Sequence, residues 1–446
     1  MSRYRSFLLL SAVATGLVTG NINAEQSATQ PPPGYVALAN GKDFEGWFGH
    51  STSDPRKLFV MNAEDLKKHM DGTMPDINQH WRYDNGEVVN DGKGLYLSTR
   101  KFYRDFDLQL EYKTVPLADS GIYLRGCPQV QIWDSTEVAK FKLGADKGSG
   151  GLWNNSAGAP GKDPSKKMDK PFGEWNKVRV HMVGERVTVW MNGEMVVDHA
   201  VLENYFDRKS PVFPTGPIQL QTHGGEIRWR NMFIHEITDE EAKKELTELS
   251  GSGFEPLIGK DMSNWMGPVD NYQLVDGVIS CKAGKGGALL TKEEFGDVHI
   301  RFEFKLPPNG NNGIALRTPE GAKDPAWEGF EIQVLDDTGP AYNDKTLKGY
   351  YELKPTQVHG SLYGLVGAHR GYLRPTGEWN YEEIVHKGDH IQVTVNGTKI
   401  LDVATDKIDL KDIKHQPKGL GFKTGHIGFC GHNDPVEFRN FSAKKL

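Results

Sequence analysis

The sequence predicts an all-β chain built from two tandem β-sandwiches, and three observations carry that expectation. Short runs rich in β-branched and aromatic residues follow one another closely, parted by Asn-Gly, Asp-Gly or Pro. That spacing suits a sandwich better than alternating βαβ units. Glycine is high, at 51 of 446 residues, as many tight turns require. The second half also repeats the first in order. Leu97-Ser98-Thr99 returns as Leu289-Leu290-Thr291 and Gly121-Ile122 as Gly313-Ile314, 192 positions on; Gly173-Glu174-Trp175-Asn176 returns as Gly377-Glu378-Trp379-Asn380, 204 on. Gly216, His223 and Arg230-Asn231 return as Gly425, His432 and Arg439-Asn440, 209 on. An offset that grows only at loops, over the period of a whole domain, points to tandem copies of one sandwich and not to a solenoid.

At the start, Arg3 and Arg5 precede the apolar run Phe7 to Val18, and Ile22-Asn23-Ala24 ends in a small residue. The run is too short to span a bilayer comfortably, so residues 1–24 are expected to be a signal peptide, cleaved near Glu25; an uncleaved anchor is the alternative. Residues 25–34, with Pro31-Pro32-Pro33, read as a flexible tether. The expected location is periplasmic or secreted, with no membrane insertion of the mature chain. A formal charge of −6 gives no electrostatic basis for binding nucleic acid or an anionic membrane. Export permits a disulfide, and of Cys127, Cys281 and Cys430 the last two are the pair within one domain; three separate buried cysteines are the alternative.

The first sandwich is expected over 35–237. Tyr35 to Leu38 opens it, Asn40 to Trp47 supplies a turn and a tryptophan for the core, and Ser51 to His80 is an insertion on one edge. Within it Asp54-Pro55 marks a turn and Asn62 caps a short helix, Ala63 to Met70. Strands are expected at 86–90, 94–99, 106–112, 121–125 and 129–133, then 175–181 and 187–191. Asn192-Gly193 turns the chain into 194–197, and 218–223 with 227–234 close the unit. A charged helix, Thr238 to Leu249, and Gly251-Ser252-Gly253 form a linker over 238–253. The second sandwich is expected over 254–446.

The stretch Ser120 to Asp134, S-G-I-Y-L-R-G-C-P-Q-V-Q-I-W-D, returns as N-G-I-A-L-R and E-I-Q-V-L-D between Asn312 and Asp336. Side chains two apart share a strand face. Ile122, Leu124, Val130 and Ile132 therefore look inward, leaving a polar face of Tyr123, Arg125, Gln129 and Gln131 that could grip a polyhydroxylated ligand. The same rule predicts that Arg125, Gln131, Gln221, His223 and Arg230 converge in the first copy, and Arg317, Glu331, Gln333, His432 and Arg439 in the second.

Each residue has a structural alternative. His223 and His432 suit proton transfer near neutral pH or hydrogen bonding at a strand end. Arg230 and Arg439 bind ligand or pin a strand. Asp134 and Asp336 contact ligand or form turns. Trp153, in the loop G-S-G-G-L-W-N-N, stacks on a sugar or caps the core. His359 and Tyr363, in H-G-S-L-Y-G, are acid/base groups or struts. The expected catalytic set is His223, His432, Glu331, His359 and Tyr363; the expected substrate-binding set is Arg125, Gln131, Trp153, Gln221, Arg230, Arg317, Gln333, Asp336 and Arg439. Gly148 to Gly151 lacks the Lys and Ser/Thr of a phosphate loop, and no dinucleotide fingerprint is present, so no nicotinamide cofactor is expected. No His-x-x-x-His or paired-Cys pattern occurs, while scattered His, Glu and Asp leave a divalent cation open. The carboxylate pair of a glycosidase is not identifiable in the first copy, where Gln129 stands for Glu331.

The motifs S-G-I-Y-L-R-G-x-P-Q-V-Q-I-W-D, G-S-G-G-L-W-N-N, G-E-W-N, V-W-M-N-G-E-M-V-V-D, L-E-N-Y and R-N-x-x-I-x-E-I resemble the 3-keto-disaccharide hydrolase family, also described as 3-keto-glucoside 1,2-lyase and 3-keto-2-hydroxy-glucal hydratase. The second copy resembles a more divergent branch, and together the matches cover most of residues 35–446. The resemblance implies a concanavalin-like jelly-roll fold and an exported enzyme acting on an oxidised mono- or disaccharide or plant glycoside. It further implies removal of the C2 proton beside a C3 ketone, 1,2-elimination and hydration. A separate sugar 3-dehydrogenase upstream must make the keto-sugar. A non-catalytic tandem glycan-binding protein is the alternative.

Overall fold

The computed structural model describes residues 30–411 and 413–446. The expected signal peptide, 1–24, and the tether residues 25–29 lie outside the described residues. Among those described, no helix is long and apolar enough to cross a membrane.

The expected all-β fold class is what the chain adopts: two concanavalin-like jelly-roll sandwiches, each an eight-stranded antiparallel sheet packed on a five-stranded one. In the first, the larger sheet runs Glu194–Val201, Arg186–Met191, Asn176–Val183, Phe106–Thr114, Ile227–Glu236, Glu87–Asn90, Trp81–Asp84, with Val36–Ala37 paired to Ile227–Glu236. The smaller runs Trp47–His50, Tyr96–Thr99, Gln219–Leu220, Asp119–Leu124, Cys127–Trp133. In the second, the smaller sheet runs Trp265–Met266, Gly286–Phe295, Gly425–His432, Asn311–Thr318, Phe330–Leu335, the same order. Two separate cores result. Trp47, Trp81, Phe106, Ile122, Val130 and Trp229 are buried in the first, and Phe302, Phe304, Ile314, Ile332, Phe429 and Phe438 in the second.

Local chemistry accounts for the framework. Asn85-Gly86, Asn192-Gly193, Asp276-Gly277 and Asn396-Gly397 are left-handed at both residues, the geometry of a type I′ hairpin turn. In the insertion, the Asn62 side chain accepts from the Asp65 amide at 2.9 Å and caps the helix Ala63–Gly72. Leu58 and Met70 pack on Phe48 of the edge strand. The helix Asp239–Leu249 starts at a Thr238–Glu241 capping box, and its Ala242 and Leu246 pack against Val183 of the first sandwich and Tyr381 of the second. There the Gly184 backbone, at φ 58°, lies against that of Gly397, and the Glu185 amide donates to Gly397 O at 3.2 Å. A side chain at Gly184 would overlap the neighbouring carbonyl.

The disulfide expected between Cys281 and Cys430 is absent: all three cysteines are buried and free. Cys281 faces the core and donates to Lys285 O at 2.8 Å, whereas Cys430 lies on the outer face of its sheet among Ala288, Leu290 and Ala315. Their side chains point into different compartments, which is the alternative reading of three separate residues.

Candidate active site

Strand alternation divides each five-stranded sheet into a core face and an outer face. In the first sandwich the outer face carries Tyr96, Ser98, Tyr123, Gln129, Gln131, Gln219 and Gln221. The equivalent positions of the second hold Ala288, Leu290, Ala315, Glu331, Gln333, Gly428 and Cys430. At the edge, the loop after the sheet's last strand adds to it in both copies. Gln131 exchanges backbone hydrogen bonds with Gly150 and Gly151, and Gln333 does so with Gly360 and Ser361. Trp153 and Tyr363 thereby occupy equivalent places.

In the first sandwich, His223 Nδ1 stands 3.2 Å from Asp119 Oδ2, and Lys140 Nζ is 3.1 Å from the same oxygen. Burial opposes ionisation of Asp119, but His223 and Lys140 outweigh it and hold the carboxyl below its ordinary range; Asp119 in turn raises the His223 imidazole. Gln131 Nε2 donates to Asp119 Oδ1 at 2.9 Å, and Gln131 Oε1 accepts from Gln129 Nε2 at 2.5 Å. Thr52 joins the Tyr96 and Tyr123 hydroxyls at 3.0 and 2.7 Å. Beneath them, Gln129 Oε1, Gln219 Oε1, Gln221 Oε1 and His50 Nε2 are buried without protein partners. Such atoms require donors from water or from ligand hydroxyls.

The second sandwich has exchanged the carboxylate and the amide. Asn311 replaces Asp119 and Glu331 replaces Gln129, while Gln333 Nε2 still donates across the strands, to Asn311 Oδ1 at 2.6 Å. Glu331 is 3% exposed and Oε1 has no hydrogen-bond partner. Burial raises its carboxyl above the ordinary 4.5. His432 Nε2 lies 3.9 Å from Glu331 Oε1 on a half-exposed side chain, and that carboxylate raises the imidazole above its ordinary 6.5. Asp324 and Asp434 add to the negative field on His432. With Tyr96 and Tyr123 replaced by Ala288 and Ala315, the neighbouring floor is low. A groove of about 440 Å³ opens over Met266, Pro268, Gly286, Ala288 and Leu290, and the loop Glu320 to Lys323 forms its other wall.

Several expected residues fall elsewhere. Arg125 and Arg317 break the alternation because both are left-handed, at φ 53° and 44°, and their guanidiniums turn away from the outer face. Arg125 pairs with Asp105 at 2.9 Å and donates to Phe213 O; Arg317 donates to the equivalent Phe422 O and to Gly388 O. Asp105 also accepts from the Gly184 amide, and Asp297 from that of Gly388. Each arginine is thus a closure strut, which removes it from the expected substrate set. Arg230 and Arg439 belong to the larger sheet, on its solvent side. They pair with Glu111 and Glu303 and lie over Trp175 and Trp379. They do not converge with His223 or His432.

His359 is also displaced from the expected catalytic set. Its ring lies inside the second core on Phe304, with Nε2 3.3 Å from Glu382 Oε2. Asp336 forms a turn, accepting from the Asn309 amide at 2.8 Å and the Thr338 hydroxyl at 2.8 Å. Trp153 rests edge-on against Trp133 and donates to Leu143 O. Tyr363 packs on Trp327, and its hydroxyl accepts from Gln357 at 3.1 Å. Among the described residues no group of three or more His, Cys, Asp or Glu could hold a metal ion. Sequence reasoning missed Asp119, Lys140 and Asp324. The aligned repeat carried a signal for the first of these, because Asp119 faces Asn311 where Gln129 faces Glu331.

The model of the 3-keto-alpha-glucoside-1,2-lyase-like domain matches residues 34–235 and again 253–444. A protein of Bacteroides thetaiotaomicron named 3-keto-disaccharide hydrolase is 24% identical over 201 residues, which is 40% of this chain and 63% of the relative. The chain therefore spans less than two thirds of that relative's length. A Parabacteroides distasonis protein solved as a candidate glycosyl hydrolase is 26% identical, with a TM-score of 0.38, over 44% of this chain and 100% of its own. The carbohydrate-binding module CBM66 of Bacillus subtilis is 11% identical, with a TM-score of 0.26, over 44% of this chain and 96% of its own.

Proposed function

Because the chain belongs to the 3-keto-alpha-glucoside-1,2-lyase-like domain family through both of its sandwiches, we propose that it cleaves 3-keto-glycosides and that the second sandwich carries the chemistry. The observation that carries this reading is the buried, unpartnered Glu331 carboxylate 3.9 Å from His432. A ketone at C3 acidifies the C2 proton. Glu331 takes that proton, and the C–H electrons form the C2–C3 enolate. When the C3 carbonyl re-forms, a C1–C2 double bond is made and the C1–oxygen bond breaks. The departing oxygen takes the proton of the His432 imidazolium. Water then adds: its oxygen bonds C1, its proton passes to His432, and Glu331 returns a proton to C2. Both residues regain their starting forms and the net reaction is hydrolysis. Lys323, in the loop that walls the neighbouring groove, supplies positive charge for the C3 oxyanion.

The choice between copies rests on base strength. Asp119 is held ionised by His223 and Lys140, which makes it a weaker base than a carboxylate raised by burial. The amide-lined face of the first sandwich, with Gln131 and Gln221, fits a role in holding sugar hydroxyls. The reading includes export to the periplasm or beyond, and a separate dehydrogenase that oxidises the substrate at C3.

Incubating the purified protein with a 3-keto-glucoside and following enone absorbance and aglycone release tests this directly. Turnover is expected from the wild type and falls steeply, to a low residual rate, in Glu331→Gln. Absence of turnover on both α- and β-linked substrates, with and without added divalent cation, would overturn the proposal.

A further inference from the structure

The groove beside the dyad has a chemical character that the family name does not dictate. Its floor and near wall are Met266, Pro268, Ala288 and Leu290, with Ala322 opposite. Ala288, Leu290, Ala315 and Cys430 form one apolar cluster against which Met266 packs, on the outer face of the sheet and not in the core. In the first sandwich the matching positions are Tyr96, Ser98, Tyr123 and Gln221, all polar. The second copy has thus exchanged hydroxyls and an amide for methyl, isobutyl and thiol groups at four places on one surface.

The groove is continuous with the dyad. Gly286 and Ala288, which line it, pair directly across the ladder with His432 and Cys430. Neighbouring strands lie about 4.8 Å apart, so the groove opens one strand spacing from the strand of His432, the proposed proton donor to the leaving oxygen, on the side away from the edge strand of Glu331, and a substituent at C1 is directed towards it. The loop Glu320 to Lys323 that walls it runs straight into Asp324, whose charge acts on Glu331, Cys430 and His432.

Resting on the reading above, we infer that this groove is the leaving-group subsite and that it selects an apolar, planar aglycone, an aryl glycoside, over a second sugar. A sugar there would lay one face on Ala288, Leu290 and Met266, none of which donates or accepts a strong hydrogen bond, and would lose the water on that face without replacement, leaving only Glu320 and Lys323 of the opposite wall as polar partners. An aryl ring instead buries apolar area against the same atoms. A volume of about 440 Å³ accommodates one or two fused rings.

The experiment compares kcat/KM of the wild-type protein on a 3-keto aryl glucoside and on a 3-keto disaccharide of the same anomeric linkage. The aryl substrate is expected to be preferred by about tenfold or more, the discrimination a single apolar pocket supplies. Met266→Gln, on the half-buried groove wall, is expected to reduce that ratio about fivefold while the far-ultraviolet circular dichroism is kept. Equal turnover of the two substrates, or a preference for the disaccharide, overturns the inference and leaves the proposed reaction standing. Failure to turn over either substrate overturns the reaction itself.

Discussion

Gly313 lies directly beneath the Glu331 side chain, so that a Cβ placed on it would overlap Glu331 Oε1. Its φ is unremarkable, and the glycine is required by the carboxylate crossing over its strand, not by backbone conformation. Gly121 stands in the same relation to Gln129 Oε1, which explains why the motif keeps glycine in both copies. Gly313→Ala is therefore expected to displace the carboxylate and lower kcat/KM by about 100-fold, since a shift near 1 Å at a reacting group has that effect. In a Glu331→Gln background the same change is expected to cost almost nothing further, because both act through one group. Steady-state kinetics of the two single variants and the double variant check this; multiplicative losses would disprove it.

The titration of the dyad sets a pH profile. The proposed base is active when Glu331 is ionised, and burial moves that transition above the ordinary 4.5. The proposed acid is active while His432 is protonated, and Glu331 extends that range above the ordinary 6.5. kcat/KM on a 3-keto glycoside is expected to rise through the first transition and fall through the second. In His432→Gln the alkaline limb should vanish and the overall rate fall. An alkaline limb that survives the substitution assigns the acid to another group.

The repeat, the strand alternation and the Asn-Gly turns were legible because each is local or is printed twice. The alternation placed Gln131, Gln221, Glu331 and Gln333 on the outer face, where they stand. It failed at Arg125 and Arg317, where a left-handed residue ends the strand and the guanidinium reaches carbonyls 88 and 105 positions away. No periodicity reports contacts of that range. His359 was misplaced for a related reason. Its loop pairs with the edge strand Phe330–Leu335, and that pairing sends the ring inward beneath the strand. The exchange of carboxylate and amide between neighbouring strands was hidden as well, because Asp119 precedes the apolar run that drew attention to the motif.

His181 joins the first sandwich to the helix between the two. It lies between Asp107 at 2.9 Å and Glu245 at 2.7 Å; burial opposes its charge, but the two carboxylates outweigh burial and push the imidazole up to about 9. A histidine raised on folding contributes stability that is complete below its unfolded value of 6.5 and is lost as pH rises through about 9. His181→Asn is expected to lower stability by roughly 2–3 kcal/mol at pH 6, from the size of that shift. The difference from wild type should shrink towards zero by pH 10. Chemical denaturation at the two pH values measures it, and an equal loss at both would show that the contribution is packing and not charge.

The two cores differ at one position in a way that the repeat itself can test. His386 is 1% exposed, and neither ring nitrogen has a hydrogen-bond partner. Met182 fills the equivalent place in the first sandwich, also fully buried. Burial pushes the His386 imidazole down to about 3, with Arg317 adding to the effect, so the ring is neutral in the folded protein and its nitrogens have no protein partner. An unmade buried hydrogen bond costs about 1–3 kcal/mol, and a flexible thioether adapts to the same volume. His386→Met is expected to raise stability by about 1 kcal/mol at pH 7. The sign in acid follows from the depressed titration: wild type keeps its full stability above 6.5 and loses it as pH falls towards 3, whereas the methionine variant lacks that loss. The gain should therefore widen between pH 7 and pH 4.5. Thermal unfolding at both values checks it, and a destabilised variant at pH 7 would mean that the imidazole is hydrogen-bonded to buried water.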